Sequence, residues 1–425
     1  MADCRSSDAR IEQLEFGKTQ EGDPFFKLIK RVGGRPREYW FPLRDYELAR
    51  EEIVAALGLG GELPAELVSD TVKLVLETIG PMLSVPTRPG LHEDCFVLPN
   101  GRVLGLDIYG WHVFLPSADG SRIGLFVDKG DVYEWEAIPG LAHGNPLLTM
   151  AIAFAVTGPV AALLGIDAPR IQLVGSCGPA MSAVEDVVAA MWRRSRAEDA
   201  GYAQSWNQPR SVLDRIAAER THTMLVIDDA APTNADVGAD RRSGDAGHRG
   251  RLPNESDGTT MGVARGTPIF SVSTDIAAAR ARRRGAVRGG LEDRLINIAL
   301  DDGQSWFEDL HGYPNEARFL SALNRLVTTH SGFMASFIIG VLLDLRHHDW
   351  VSKLRRHRDD YLRMARNSFA GMGDHTTRHE AFATIFAAGA DLLVDFELVP
   401  WQLSDLAESL LVCEAAAIKT ANEGF

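Results

Sequence analysis

The sequence predicts an α/β protein: a parallel sheet core of the phosphate-binding type, preceded by an N-terminal α+β, β-rich domain and followed by a C-terminal helical domain. Three observations predict it. The stretch Ile171 to Ser182 runs from apolar-leaning residues to Gly175 and a short loop of small residues, and Val184, Val187, Val188 and Met191 then recur at helical spacing. Two later apolar runs, Thr223 to Asp229 and Pro268 to Thr274, end in carboxylates and in hydroxyls, as parallel strands do when they deliver ligand groups at their carboxyl ends. From Asn315 to Lys419 the segments are helically periodic.

Strand, tight loop and helix in this order are the layout of a phosphate-binding loop, whose template is G-x-x-x-x-G-K-[ST]. In the template, backbone N–H groups and the helix N-terminus hold phosphates, the lysine reaches the outer phosphates and the hydroxyl ligates Mg²⁺. Gly175 and Ser182 occupy the first and last template positions, while Ala180 replaces the second glycine and Met181 the lysine. The loop positions Gly175, Ser176, Gly178, Met181 and Ser182 are the candidate cofactor contacts. Asp228 is the candidate Mg²⁺ holder beside Ser182, and Asp229 the candidate water-activating acid. Between loop and acids, Val212, Leu213, Ile216 and Ala217 mark one face of a crossover helix over 211–219. The acids are expected to face the turn after Val174, with the two segments side by side.

A chain of 425 residues suits two or three domains. Apolar residues make up 45% and charged residues 24%, which places it among ordinary globular proteins able to bury large cores. Its formal charge, 44 − 58 = −14, excludes a whole-surface nucleic-acid binder and confines any such contact to a local basic patch. The four cysteines, Cys4, Cys95, Cys177 and Cys413, lack C-x-x-C spacing, so neither a disulfide framework nor a zinc knuckle is indicated. Met1 to Arg10 is polar, and Met334 to Leu345 is too short and too soon charged to span a bilayer. A cytoplasmic protein without membrane association is expected.

The predicted domains are 1–142, 143–312 and 313–425. The first opens with a small α+β unit to about residue 88, with strands over 25–32 and 39–43 and helices over 45–57 and 64–79. Gly17-Lys18-Thr19 spells the end of a phosphate loop, but Glu12 stands at the template's first glycine and no strand is predicted ahead of it, so a turn is expected. Hairpin strands follow over 95–98, 103–106, 111–115 and 122–127, separated by Asn-Gly, Tyr-Gly and Asp-Gly turn signals. Trp111, Phe114 and Phe126 lie at strand spacing, where core packing is the ordinary role of aromatics. Residues 147–164 read as one long apolar helix. Pro232 to Gly266 lacks apolar periodicity over 35 residues, far beyond ordinary loop length. With its continuation to Arg288 it holds the densest run of arginines in the chain. The closing helices are predicted over 317–329, 333–344, 351–369, 378–395 and 403–419, with Pro400-Trp401 as the stop before the last.

An ordered series of motifs resembles the cassette-chromosome helicase family, also known as domain of unknown function 927. These are AAA+-type proteins related to replicative ring helicases and common on bacterial mobile elements and prophages. The series runs through Gly90 to Gly101, Gly144-Asn145-Pro146, Gly175 to Ser182, Ser205-Trp206-Asn207 and Leu225 to Asp229. It continues through Ser273-Thr274-Asp275, Arg294-Leu295 and Phe307 to Gly312, and closes with Arg378 to Gly389 and Pro400-Trp401. It covers roughly residues 30 to 419, and relatives usually carry Trp where Leu91 stands.

The resemblance implies a P-loop NTPase core of the AAA+ kind that takes ATP and Mg²⁺. In it Ser182 and Asp228 hold the metal, Asp229 stands at the position of the family's catalytic Glu, Ser273 or Thr274 senses the γ-phosphate, and Arg294 acts from a sensor or neighbouring-subunit position. The departures fall on the chemistry: Met181 removes the phosphate-binding cation, Ala180 adds a Cβ where backbone approaches phosphate, and Asp229 is one methylene short. Two readings follow. One is an active ATP-dependent DNA helicase ring motor. The other is a degenerate, hydrolysis-poor relative that acts through assembly, as a homo-oligomer or with an active paralogue, or through DNA contact by the arginine-rich 241–288 region. The departures favour the second.

Overall fold

The computed structural model describes residues 11–19, 24–32, 35–42 and 83–85 as backbone. It also describes 89–92, 95–99, 102–105, 130–175, 178–192, 203–206, 208, 210–228, 266–274, 295–300, 307–345 and 349–423. The chain divides into two compact units, residues 1–87 with 107–116, and residues 88–106 with 117–425.

The first unit holds strands β1 (Ile11–Thr19), β2 (Pro24–Val32), β3 (Arg35–Pro42) and β4 (Leu83–Val85), in the order β3-β2-β1-β4. The strands expected over 25–32 and 39–43 are present as β2 and β3. Gly17-Lys18-Thr19 is not the expected turn. Gly17 and Lys18 pair antiparallel with Phe25 and Pro24, and the whole tripeptide pairs parallel with Leu83 to Val85. Ladders on both sides of β1 override the poor strand preference of a glycine. The expected helices over 45–57 and 64–79 and the hairpin strands over 111–115 and 122–127, with Trp111, Phe114 and Phe126, lie outside the described residues.

The second unit begins with the short antiparallel strands β5 (Gly90–Leu91), β6 (Cys95–Val97) and β7 (Val103–Gly105). Helices α1 (Val132–Trp135) and α2 (Ala137–Ala142) lead to α3 (Pro146–Ala155) and α4 (Thr157–Leu164). The single long helix read over 147–164 is thus two, bent by 55°. Pro159 has no N–H to give the carbonyl four residues back, Ala155, and a proline there breaks the ladder. That carbonyl instead accepts the Trp192 indole Nε1–H at 2.7 Å. Among the described residues no single helix is long and apolar enough to cross a membrane.

The parallel sheet consists of β8 (Arg170–Val174), β9 (Leu225–Asp228), β10 (Ile269–Ser273) and β11 (Ile296–Ala299) in the order β11-β8-β10-β9, every neighbouring pair parallel. β8, β9 and β10 are buried throughout, which is why they read as nearly continuous apolar runs. One face, with Ile171, Leu173, Val226, Phe270, Val272, Ile296 and Ile298, belongs to the main core. α5 (Gly178–Ala190) packs there against β10 and α3. The opposite face carries Leu225, Ile227 and Ile269, covered by Leu213, Ile216 and Ala217 of α6 (Arg210–Glu219) and by Trp206. Ser271 satisfies two buried donors on that face, Gln172 Nε2 at 3.2 Å and Trp206 Nε1 at 2.9 Å. Beyond β9, Gln204 extends the sheet by one bridge to Ile227.

Helices α7 (Glu316–Thr329), α8 (Phe333–Leu345), α9 (Trp350–Ser368), α10 (Thr376–Gly389) and α11 (Leu403–Asn422) close the unit. The N–H groups of Gly332 and Ala335, at the start of α8, donate to the Ala190 and Met191 carbonyls at the end of α5. One helix start thereby satisfies another helix's last carbonyls, with the dipoles head to tail. The helix expected over 378–395 is α10 followed by a π turn, Ala390–Val394. At Gly389 an added Cβ would meet Ala153 Cβ and Leu406 Cδ2, each at 2.9 Å, so α10, α3 and α11 approach one another too closely there for a larger residue.

Candidate functional site at the carboxyl edge of the parallel sheet

The register places three strand ends at one edge. Val174 lies opposite Ser273 and Ala299, and Asp228 lies opposite Val272, itself opposite Leu173. Loop and acidic strand are therefore at the same level, but the expectation that they lie side by side is corrected: β10 stands between β8 and β9. The crossover through α5 and α6 skips one strand position, which the later strand fills. By alternation Asp228 shares the sheet face of Val226 and Val272, the face that α5 covers.

The loop itself is short. α5 begins at Gly178, three residues after Gly175 and two before Ala180, where the template still has loop. The Gly175 N–H donates to the Ser273 carbonyl at 3.2 Å, prolonging the β8–β10 ladder. Ala180 and Met181 are 0% and 1% exposed and belong to the main core with Val184, Val187 and Val188. At the lysine position, then, stands a side chain packed among apolar neighbours. Ser182 is half-buried, Asp228 is 6% and Ser273 1% exposed, and Thr274 is exposed. Ser176, Asp229, Arg294 and the arginines of 241–288 lie outside the described residues.

A second motif pair, 164 residues apart in sequence, forms a clasp. Asn145 Nδ2–H donates to the carbonyls of Leu141 at 3.0 Å and Asp309 at 2.8 Å, and the Asp309 N–H returns to Asn145 Oδ1 at 3.0 Å. The Gly-Asn-Pro and Phe-Glu-Asp-Leu-His-Gly motifs thus fix where the chain leaves the sheet for α7. His311 completes the clasp by contacting the His143 carbonyl at 2.9 Å and stacking on Phe319.

The sequence reading missed a polar network in the closing helices. Glu414 on α11 is fully buried and accepts a hydrogen bond from the Tyr361 hydroxyl at 2.9 Å, with His379 Nδ1 against its other oxygen. Burial raises the Glu414 carboxyl above the usual range, against the His379 and Tyr361 hydrogen bonds that favour its charge. Burial likewise pushes up the Tyr361 hydroxyl and the Cys413 thiol, so both stay protonated. The signal was a lone acid in the apolar run Leu410 to Ile418. Nearby, His357 Nδ1 contacts Asp391 Oδ2 at 2.9 Å, and that bond raises the imidazole above its ordinary value.

A parallel sheet of this order, with loop, acid and hydroxyl at one carboxyl edge, defines a P-loop NTPase-like α/β protein with a helical C-terminal region. Residues 67–238 match the family described as Domain of unknown function (DUF927). Among solved structures the chain is similar to "SCCmec type IV Cch - active helicase", with a TM-score of 0.63 and 14% identity over 98% of this chain and 75% of that one. At that identity the likeness is one of fold. No curated protein matches the sequence. The matched stretch is thus similar to the DUF927 family that the ordered motifs resemble.

Proposed function

We propose that this is a helicase-like protein of a mobile element or prophage that keeps the P-loop fold, of AAA+ type, while turning over ATP poorly. It acts in DNA replication or mobilisation through assembly or nucleic-acid contact. The observation that carries the reading is the core burial of Met181 with Ala180, where phosphate chemistry needs a cation and an open backbone. In such NTPases catalysis is mostly positioning and charge stabilisation of the phosphates. Elsewhere the loss of one preorganised donor lowers rates by roughly 10²–10³, and here a full charge is gone. Residual ATP and Mg²⁺ would be held by loop amides, Ser182 and Asp228, with Asp229, Ser273, Thr274 and Arg294 as the remaining positions of the ancestral site. The arginines of 241–288 are the proposed DNA contact. A cytoplasmic homo-oligomer, or an assembly with an active paralogue, is the working form.

The test is Mg²⁺-dependent ATP turnover with and without single-stranded DNA, in the unaltered chain and in Asp228→Ala. Equal, background-level rates are expected. An unaltered chain that outpaces the variant and responds to DNA overturns the proposal and establishes the second reading, an active ring motor. That reading draws its support from Asp228 and Ser273 at one edge and from the neighbour named an active helicase.

A further inference from the structure

The closing helices carry a second cluster, remote in sequence from the loop. α9 presents Lys353 and His357 one turn apart, and the π turn with its exit presents Asp391 and Asp395 at the same spacing. The π geometry is explicit: the Asp395 N–H donates to the Ala390 carbonyl at 3.0 Å, five residues back. Such insertions are rare and concentrate at functional sites.

One ligand atom from each of His357, Asp391 and Asp395 lies within 4.8 Å of the others. Asp391 is fully buried, and among the described residues its Oδ1 accepts no hydrogen bond. The Lys353 ammonium stands 3.7 Å from that oxygen, too far for a hydrogen bond. Lys353 itself pairs with Asp395, and its side chain is 42% exposed, so its flexible stem can carry the ammonium out to water. Two carboxylates and a neutral imidazole sum to −2. Lys353 offsets one of these charges, whereas a divalent ion in its place offsets both.

We propose that His357, Asp391 and Asp395 form a site for a divalent cation of the zinc type, with Lys353 as the resident cation that the metal displaces. One imidazole nitrogen with two carboxylate oxygens suits Zn²⁺ or Mn²⁺ better than Ca²⁺, which takes six or more oxygens. In a tetrahedral zinc site, bonds of about 2.0–2.1 Å put ligand atoms roughly 3.4 Å apart, a contraction that small side-chain rotations supply. The proton on His357 leaves to solvent as the metal binds, because the metal takes the neutral ring. The proposal is independent of the nucleotide reading.

Zinc chloride titrated calorimetrically into the full chain, in zinc-free buffer above neutral pH, tests it. One equivalent is expected to bind, with His357→Ala and Asp391→Asn each weakening affinity by at least about tenfold. Lys353→Met is expected to tighten it. Circular dichroism confirms folding, and if Asp391→Asn fails to fold, the Lys353→Met and His357→Ala chains carry the test. Equal affinity in the unaltered chain and His357→Ala, or no zinc bound by Lys353→Met, overturns the proposal.

Discussion

At the carboxyl edge of the parallel sheet, the position that a phosphate-binding lysine takes in the template is filled by Met181 among apolar neighbours. In the closing helices, Glu414 is fully buried yet held by the Tyr361 hydroxyl and His379. The two regions solve the problem of a buried polar position in opposite ways. A lysine without phosphate would be an unpaired charge in the core, and an apolar side chain removes that cost. A carboxylate with two partners can remain, because breaking such a group costs more than keeping it. Under the proposed reading, motif residues mark ancestry at this edge, while buried titratable groups mark where polar side chains are still held.

The sharpest way to break the comparison is Ala180→Gly with Met181→Lys. If the edge has become packing, the lysine is a buried charge that destabilises the chain by about 4 kcal/mol, and a binding titration shows no gain in nucleotide affinity. A gain in affinity with unchanged stability would restore the loop to the phosphate-binding class.

Next is Gly158→Ala. Its Cβ would stand 2.4 Å from the His222 carbonyl oxygen and 2.7 Å from that of Thr223, both backbone. Denaturation is expected to show a loss of about 3 kcal/mol, as for severe overpacking, because the sheet side depends on close packing. Tyr361→Phe should cost less, about 1–2 kcal/mol, since it removes one donor from a buried carboxylate that keeps His379.

The smallest effect is a pH dependence. Hydrogen bonding to Asp391 raises His357 above its ordinary 6.5, so its stabilisation is fully present below pH 6.5 and is lost as pH rises through the folded value. Asp395 adds to this charge and Lys353 opposes it. In chelator-treated buffer the slope should amount to about 0.5–1 kcal/mol, typical of a partly exposed pair, and His357→Gln should abolish it in thermal melts at stepped pH.

The sheet strands and α5 were legible because fully buried parallel strands and an amphipathic helix leave plain periodicities, as Ile171 to Val174 and Val184 to Met191 show. Strand order was not legible. The neighbour of β8 comes from 268–274, beyond a 35-residue stretch with no periodic signal, and nothing local in β8 or β9 encodes the gap that β10 fills. The break at Val156 was written in Pro159, but the apolar run around it masked the signal. Gly17-Lys18-Thr19 misled because its two ladders are tertiary, and the π turn because Ala390 to Val394 reads as ordinary helix. Of the candidate residues, Gly175, Asp228 and Ser273 do come to one edge. Met181 was legible as a missing charge, and its burial with Ala180 agrees with packing of the emptied space.

The sheet's outer strand, β11, presents an amide that would otherwise face outward, and the Thr420 hydroxyl of α11 accepts it at 2.9 Å while donating to Ala416. The last turns of α11 therefore act as a seam along the outer edge of β11. Clipping them, or straining them with a rigid fusion, would bare a strip onto which a second chain's strand could zip. Self-association after such trimming would report loss of that cover rather than any native assembly.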